Sequence, residues 1–175
     1  MIALADLNAR DREAFVAATG FAFEHSPWIA ERAWEARPFA SVEALHAAMV
    51  RVVQSAGEPQ KLALIAAHPD LAGRVAREGR LTPSSRDEQA AAGLDALTSE
   101  EIGRFERLNG AYRARFGFPF VICAREHEKA SILDELERRS RHERAEEIAT
   151  ALAEIAKIAG YRLREAVSDE AGAKP

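Results

Sequence analysis

His68 is a residue of this sequence whose type and position suit chemistry. It ends an apolar, alanine-rich stretch and is followed at once by Pro69 and Asp70. An imidazole exchanges protons near neutral pH, so it can serve as a general acid or base. Because proline disfavours helical backbone angles in the residue before it, we expect His68 to end a helix. A histidine in such a position is more often a packed or capping residue than a catalyst, so the residues alone leave both interpretations open.

Ser85 and Glu88 are a second candidate pair, since Ser-x-x-Glu is the capping box of a helix N-terminus. As a capping box the pair needs no further function, and this structural interpretation is favoured. The amide groups at a helix N-terminus also bind anions, however. The same turn could therefore hold a substrate that carries a carboxylate.

The remaining candidates give weaker signals. Cys123 lies in the apolar run FVICA without a basic neighbour in sequence, which is typical of an inert core cysteine. The one Glu-x-x-His, from Glu43 to His46, has no second copy to complete a carboxylate-bridged metal site. Neither His-Glu-x-x-His nor Cys-x-x-Cys occurs, and no glycine-rich loop follows a predicted strand. We therefore expect neither a metal nor a nucleotide cofactor.

The elements that position these residues are predicted to be helices. Apolar residues recur at helical spacing along most of the chain. Asn8 is expected to cap a first helix that Gly20 ends. Further helix starts are predicted at Ser26, Ser41, Ser85, Thr98 and Ser140, the last three from capping boxes.

One segment departs from the helical pattern. The β-branched and aromatic residues of FPFVICAR favour an extended backbone near residues 118–124. A lone extended segment cannot form a sheet, so its peptide groups need other partners, either neighbouring loops or a ligand. The sequence therefore predicts an all-α, single-domain multi-helix bundle with one short extended segment. The domain is expected to span residues 1–167, followed by a flexible tail at 168–175.

Composition excludes several classes of protein. The 175 residues are 47% hydrophobic, which suffices for one compact core. The net charge is −4 and the basic residues are interleaved with acidic ones, so no nucleic-acid partner is expected. The longest apolar run has seven residues, far short of the roughly 20 that span a membrane. With one cysteine, no signal-like start and no terminal Ser-Lys-Leu, a cytoplasmic location is expected.

Five strings together resemble one known family, that of 2-oxo-4-hydroxy-4-carboxy-5-ureidoimidazoline (OHCU) decarboxylase. The resemblance runs in order from about residue 8 to residue 163, and five matches with plausible spacing are specific where one would mean little. The strings are FEHSPWIAE, AAHPDLAGR, SSRDEQAAAGL, LNGAYRARFGFPFVICAR and EIAKIAGYRL.

This resemblance implies an all-helical homodimer that decarboxylates OHCU to (S)-allantoin and CO2 in urate degradation, without a cofactor. It places the catalytic histidine at His68, a Ser-x-x-Glu-Gln element at Ser85, Glu88 and Gln89, and a C-terminal arginine at Arg162. From the chemistry of decarboxylation we expect His68 to transfer a proton and Glu88 to orient the imidazole or polarise the substrate. We expect Arg162 to hold an anionic or carbonyl group of the substrate. The substrate-binding positions that it implies are Pro69, Ser85, Gln89, Phe120, Val121, Ile122, Cys123, Ala124 and Arg162.

Two rival interpretations remain. The same pocket could accept another small, nitrogen-rich carboxylic acid, because pocket chemistry alone does not fix which ring fits. The chain could instead be a non-catalytic helical interaction module that uses the aromatic stretch WIAERAW as a contact face. Aromatic residues at helical spacing are more often core residues, so this second interpretation is the weaker one.

Overall fold

The computed structural model describes residues 1–72 and 81–170. The chain folds into two compact units. The first unit comprises Met1–Ala67 and Ala156–Pro175, and the second comprises His68–Ile155. Each unit has buried apolar side chains of its own.

The described residues are mostly α-helical, which confirms the predicted all-α class. Within 1–72 and 81–170, no helix combines the length and apolar composition that crossing a membrane requires. The helices are α1 (Leu4–Ala9), α2 (Arg12–Thr19), α3 (Trp28–Ala33), α4 (Val42–Ser55), α5 (Glu58–Ala66), α6 (Pro83–Ala91), α7 (Ser99–Phe116), α8 (Lys129–Arg139) and α9 (Arg144–Ala166). Short 3-10 turns lie at Gly20–Ala22, Trp34–Ala36 and Ala124–Glu126.

The start of the first unit differs from the sequence prediction. Asn8 lies inside α1 rather than at its N-terminus, and the chain is extended at Arg10 before α2 begins. Asp11 caps α2, with its carboxylate accepting from the amide of Ala14 at 2.8 Å. Asn8 instead donates to the carbonyl of Phe39 and accepts from its amide, both at 2.9 Å. The prediction of one helix capped by Asn8 was therefore wrong, because that side chain fixes a distant loop.

A short parallel strand pair was not predicted. Strand β1 (Ile2–Ala3) pairs with β2 (Val167–Ser168) in the first unit. The Asp169 carboxylate then accepts from the amide of Val42 at the start of α4, at 2.7 Å. Two-residue strands are too short to show a period of two in the sequence. Ser168 and Asp169, which the sequence assigned to the tail, are held by these contacts.

Helix starts in the second unit follow the sequence in one case out of three. Thr98 forms the predicted capping box of α7, since its hydroxyl accepts from Glu101 N and its amide donates to the Glu101 carboxylate. Thr82, not Ser85, caps α6, and Pro83 occupies the first helical position, which suits its fixed φ angle. Ser140 ends α8 instead of opening a helix, and its hydroxyl donates to Leu136 O at 2.6 Å.

The extended segment follows α7 directly. Gly117 has a φ of 81°, the left-handed conformation that ends many helices. Residues 118–123 then run without helix or strand, as the sequence predicted. Phe118 and Phe120 pack at the edges of the Tyr112 ring, with ring centroids 6.1 and 5.4 Å away. Aromatic packing thus fixes the side chains of this segment.

Candidate active site

Most of the predicted site residues lie in the second unit. His68, Ser85, Glu88 and Gln89 are all buried there, with 5 to 7% of their surface exposed. Phe120, Val121, Ile122, Cys123 and Ala124 are buried in the same unit. Polar side chains are rarely buried unless they are hydrogen-bonded or functional. Arg162 belongs to the first unit.

Three side chains form hydrogen bonds with the turn that carries His68. The helix α5 ends at Ala66, so His68 follows a helix end as predicted. Asn109 on α7 donates to the carbonyl of Leu71 at 2.9 Å. Arg113, one turn further along α7, donates to the carboxylate of Asp70 at 3.0 Å. These contacts hold the backbone on the C-terminal side of the histidine.

The third hydrogen bond to this turn comes from Gln89, a predicted site residue. The Gln89 carboxamide oxygen accepts from the amide of Ala72 at 3.1 Å. Ala72 has a φ of 52°, in the left-handed region, which costs a residue with a Cβ about 1 kcal/mol. This conformation persists because neighbouring groups determine it. Gln89 therefore helps to shape the His68 turn, in addition to its predicted contact with substrate.

Helix α6 presents a polar face to the interior. Ser85, Glu88 and Gln89 are three and four residues apart, which places them on one side of the helix. Arg86 and Asp87 between them are about two-thirds exposed. The buried face thus offers a hydroxyl, a carboxylate and a carboxamide. Helix α6 also packs against the turn Ala124–Glu126, which follows the extended segment.

The extended segment is held by side chains rather than by a sheet. The Val121 carbonyl accepts from Arg139 Nη1 at 2.9 Å, and the Cys123 amide donates to Glu154 Oε2 at 2.8 Å. Successive residues of an extended backbone direct their peptide groups to opposite sides. The groups of Ile122 are therefore expected to face away from Arg139 and Glu154. No hydrogen bond to them arises from residues 1–72 and 81–170.

This pattern changes which residue of the segment is best placed for a ligand. The Cys123 amide is already used by Glu154, and its carbonyl accepts from Glu126 N at 3.0 Å. The Cys123 thiol is buried. Backbone contact with a substrate is thus better suited to Ile122 than to Cys123.

Arg162 is buried in the first unit by an ion pair. Its Nη1 donates to Glu24 Oε2 at 2.8 Å and to the carbonyl of Phe21 at 3.4 Å. Both charged side chains are only 2% exposed. A guanidinium has five N–H donors in a planar fork.

Four further residues support the candidate site although the sequence pattern did not single them out. Asn109 holds the His68 turn, and Arg139 and Glu154 hold the extended segment. Glu147 in turn pairs with Arg139. The sequence held one signal for Arg139: it lies three residues after Leu136, so a charged residue falls on the apolar face of the helix.

A cavity of about 450 Å3 lies beside these residues in the same unit, and Ala72 and Gln89 line it together with Leu81, Arg86, Asp87 and Ala90. His68, Ser85 and Glu88 are not among its lining residues, so we do not place the site there. In the part of the chain that the structure describes, no three His, Cys, Asp or Glu residues cluster as a metal site requires.

Comparisons with known proteins agree on one family. A model of the OHCU decarboxylase family matches residues 8–164. The 2-oxo-4-hydroxy-4-carboxy-5-ureidoimidazoline decarboxylase of Haloferax volcanii is 44% identical over 169 residues, which cover 97% of this chain and 98% of that protein. The protein of the same name from Halalkalicoccus jeotgali is 42% identical over 160 residues, covering 91% of this chain and 89% of that protein.

Two solved structures resemble this chain. The crystal structure of (S)-allantoin synthase aligns with a TM-score of 0.76 and 30% identity over 96% of this chain. This chain spans 54% of the length of that protein. A crystal structure of OHCU decarboxylase in the presence of (S)-allantoin aligns with a TM-score of 0.67, covering 89% of this chain and 97% of that chain. Its identity is 21%, so that likeness concerns the fold alone.

Proposed function

Because this chain belongs to the OHCU decarboxylase family, we propose that it decarboxylates OHCU to (S)-allantoin and CO2 in urate degradation, without a cofactor. The observation that carries the proposal is the buried polar face of α6. Ser85, Glu88 and Gln89 lie on one side of that helix, and Gln89 accepts a hydrogen bond from the turn that carries His68. A buried face with these groups suits a polar substrate better than it suits a hydrophobic core.

His68 and Glu88 would carry the chemistry. Breaking the bond to the carboxylate releases CO2 and leaves its electron pair on the substrate, where it must be stabilised and then protonated on one face. His68 would take the proton-transfer role and, as a general acid, would deliver that proton. Glu88 would orient the imidazole or polarise the ureido-imidazoline. Holding the substrate in one orientation would make protonation enantioselective.

The other predicted residues would bind the substrate. Pro69 would line the pocket beside His68, and Ser85 would contribute its hydroxyl. The backbone of Phe120–Ala124, above all the peptide groups of Ile122, would contact ring carbonyls and nitrogens. Arg162 would hold an anionic or carbonyl group with its fork of donors.

The test generates OHCU in place from urate, with urate oxidase and hydroxyisourate hydrolase, and follows (S)-allantoin by circular dichroism. OHCU decays spontaneously to racemic allantoin, so the informative signal is fast, enantioselective product formation. We expect this signal from the wild type and its loss in His68→Ala. The control is His25→Asn, which changes an exposed histidine to a residue that tolerates the same left-handed backbone.

The outcomes separate the alternatives. If the wild type does not accelerate the reaction, OHCU is not the substrate, and related ureide acids are assayed next. If His68→Ala retains full activity, the role proposed for this histidine is wrong. A wild type that is inactive on every ureide acid would favour the interaction module.

We also propose three properties that the family resemblance and the single reduced cysteine support. Residues 1–167 would form the catalytic domain and residues 168–175 a tail whose first two residues, Ser168 and Asp169, are held by the contacts described above. The protein would be a homodimer, which light scattering at several concentrations tests. It would act in the cytoplasm, where a buried free thiol such as that of Cys123 stays reduced.

A further inference from the structure

A buried charged cluster lies beside the extended segment. Arg139 is 1% exposed and Glu147 is fully buried. Arg139 donates to the Glu147 carboxylate through Nε, at 3.0 Å to Oε1, and through Nη2. The Tyr112 hydroxyl donates to the same carboxylate, and His142 Nδ1 contacts it at 2.8 Å. All four residues belong to the second unit.

Stability alone does not explain this cluster. Taking an arginine and a glutamate out of water is costly, and apolar residues of similar volume often give equal or greater stability. Burial, and then the hydrogen bond to Glu147, raise the pKa of Tyr112 above its usual range, so its hydroxyl remains a donor. The hydrogen bonds to the Glu147 carboxylate thus hold the side chains of the cluster in one arrangement.

The cluster contacts the extended segment through Arg139. Arg139 Nη1 donates to the Val121 carbonyl at 2.9 Å, and its guanidinium carbon lies 4.5 Å from the centroid of the Phe120 ring. On the next helix, Glu154 Oε2 accepts from the Cys123 amide at 2.8 Å. Side chains of α8 and α9 thereby hold peptide groups on both sides of Ile122.

We propose that Arg139 and Glu154 are positioning residues, which fix the backbone of residues 121 and 123 so that the peptide groups of Ile122 face the substrate. This inference rests on the proposed function, because it assigns the Ile122 backbone to substrate binding. Neither side chain touches the reacting atoms. Rotating the Ile122 peptide groups away from the substrate would require both hydrogen bonds to break.

The first experiment separates the acceptor of Glu154 from its charge. Glu154→Gln keeps an oxygen that can accept from the Cys123 amide, whereas Glu154→Leu removes it. We expect kcat of Glu154→Gln to be within about twofold of wild type. We expect kcat of Glu154→Leu to be about tenfold lower, because the Ile122 peptide groups would no longer hold the substrate in its productive orientation. The control is Glu146→Gln, since Glu146 lies on the same helix with 59% of its side chain exposed.

A second readout does not depend on activity. The Cys123 amide is expected to exchange its hydrogen about tenfold faster in Glu154→Leu than in the wild type, and at the wild-type rate in Glu154→Gln. Wild-type kcat and wild-type exchange in Glu154→Leu would overturn the role of Glu154. Equal losses of kcat in the Leu and Gln variants would also overturn it, because they would point to charge rather than to the hydrogen bond.

The second experiment removes the buried ion pair and the Tyr112 hydroxyl together, so that neither Arg139 nor Glu147 is left as an unpaired charge, and it leaves His142 in place. The variant Tyr112→Phe/Arg139→Met/Glu147→Leu replaces the network with apolar groups of similar size. We expect it to unfold at or above the wild-type temperature but to show kcat lowered about tenfold or more. A stable and fully active triple variant would show that the cluster has no positioning role.

A milder substitution decides the question if the triple variant does not fold. Lysine at position 139 retains the positive charge beside Glu147, but it lacks the fork that reaches both Glu147 and the Val121 carbonyl. Lower kcat in Arg139→Lys at an unchanged unfolding temperature supports the proposal, and unchanged kcat overturns it. If the wild type proves inactive on OHCU, the proposed function fails, while hydrogen exchange at Cys123 still tests the anchoring by Glu154.

Discussion

Helices α4 and α6 bury faces of opposite character. The buried residues of α4, in the first unit, are all apolar: Val42, Leu45, Ala48, Met49 and Val53. The buried residues of α6, in the second unit, are all polar: Ser85, Glu88 and Gln89. Both helices begin at a side-chain cap, supplied by Ser41 and Thr82. Similar local structure thus carries two different kinds of interior surface.

The difference indicates what each helix contributes. Burying the apolar face of α4 removes hydrocarbon from water, which stabilises the fold. Burying the polar face of α6 costs hydration that hydrogen bonds must offset. In the function proposed above, this face binds or orients the substrate. Changes on α6 should therefore affect activity first, and changes on α4 should affect stability first.

Glu88→Gln is expected to have the largest effect. It keeps the size of the side chain but removes the carboxylate, so we expect kcat to fall by about 100-fold or more, the range for a lost general acid-base group or its partner. The unfolding temperature should change little. The matched control is Asp87→Asn, because Asp87 is the next residue of α6 and is two-thirds exposed. Equal activity of the two variants would contradict the comparison between the helix faces.

Leu45→Ala tests the other helix. Leu45 is completely buried, so we expect a loss of about 3 kcal/mol in the free energy of unfolding, measured by urea denaturation. Activity per folded molecule should stay within about twofold of wild type. Arg51→Ala, at an exposed position of α4, is the control and should change stability by less than about 0.5 kcal/mol. A large loss of kcat in folded Leu45→Ala would show that α4 also supports the site.

The contrast explains which parts of the fold could be predicted from sequence. Helices with apolar faces and caps, such as α4 with Ser41, follow from spacing and capping chemistry. The capping box at Thr98 also formed, whereas the same motif at Ser85 and Ser140 did not mark a helix start. Thr82 followed by Pro83 is the stronger start signal, and it lies only three residues before Ser85.

The candidate site was harder to predict for the same physical reason. A helix whose buried face is polar resembles a solvent-exposed helix in hydrophobic pattern. The local pattern therefore singled out Glu88 only as part of a capping box with Ser85, and only the family resemblance pointed to Gln89. The extended segment was predicted from its composition, but its partners Arg139 and Glu154 lie 18 and 31 residues away in sequence. No local pattern carries information about contacts at such distances.

Gln89→Met changes the buried face of α6 and is expected to have effects of intermediate size on both stability and activity. Methionine preserves length, but its thioether sulfur is only a weak acceptor for the Ala72 amide, so a buried hydrogen bond in a strained turn is weakened or lost. We expect about 1 to 2 kcal/mol less stability, and kcat/KM about tenfold lower because the His68 turn loosens. Urea denaturation and the circular dichroism assay measure the two effects. Arg86→Met, at an exposed position of the same helix, is the control, and an equal loss there would contradict this account.

The smallest effect concerns the exposed start of α7, where charge is solvated. The Lys129 ammonium, 2.7 Å from Glu101, and the Thr98 amide lower the pKa of Glu101 to about 2. Its carboxylate therefore stabilises the fold above its ordinary pKa, and this contribution is lost as pH falls through about 2. We expect Lys129→Met to raise the pKa of Glu101, measured by NMR, but to leave it below 4.5 because Thr98 still donates. Unchanged kcat at neutral pH in this variant, set against the loss in Glu88→Gln, would show that burial rather than charge distinguishes the residues of the site.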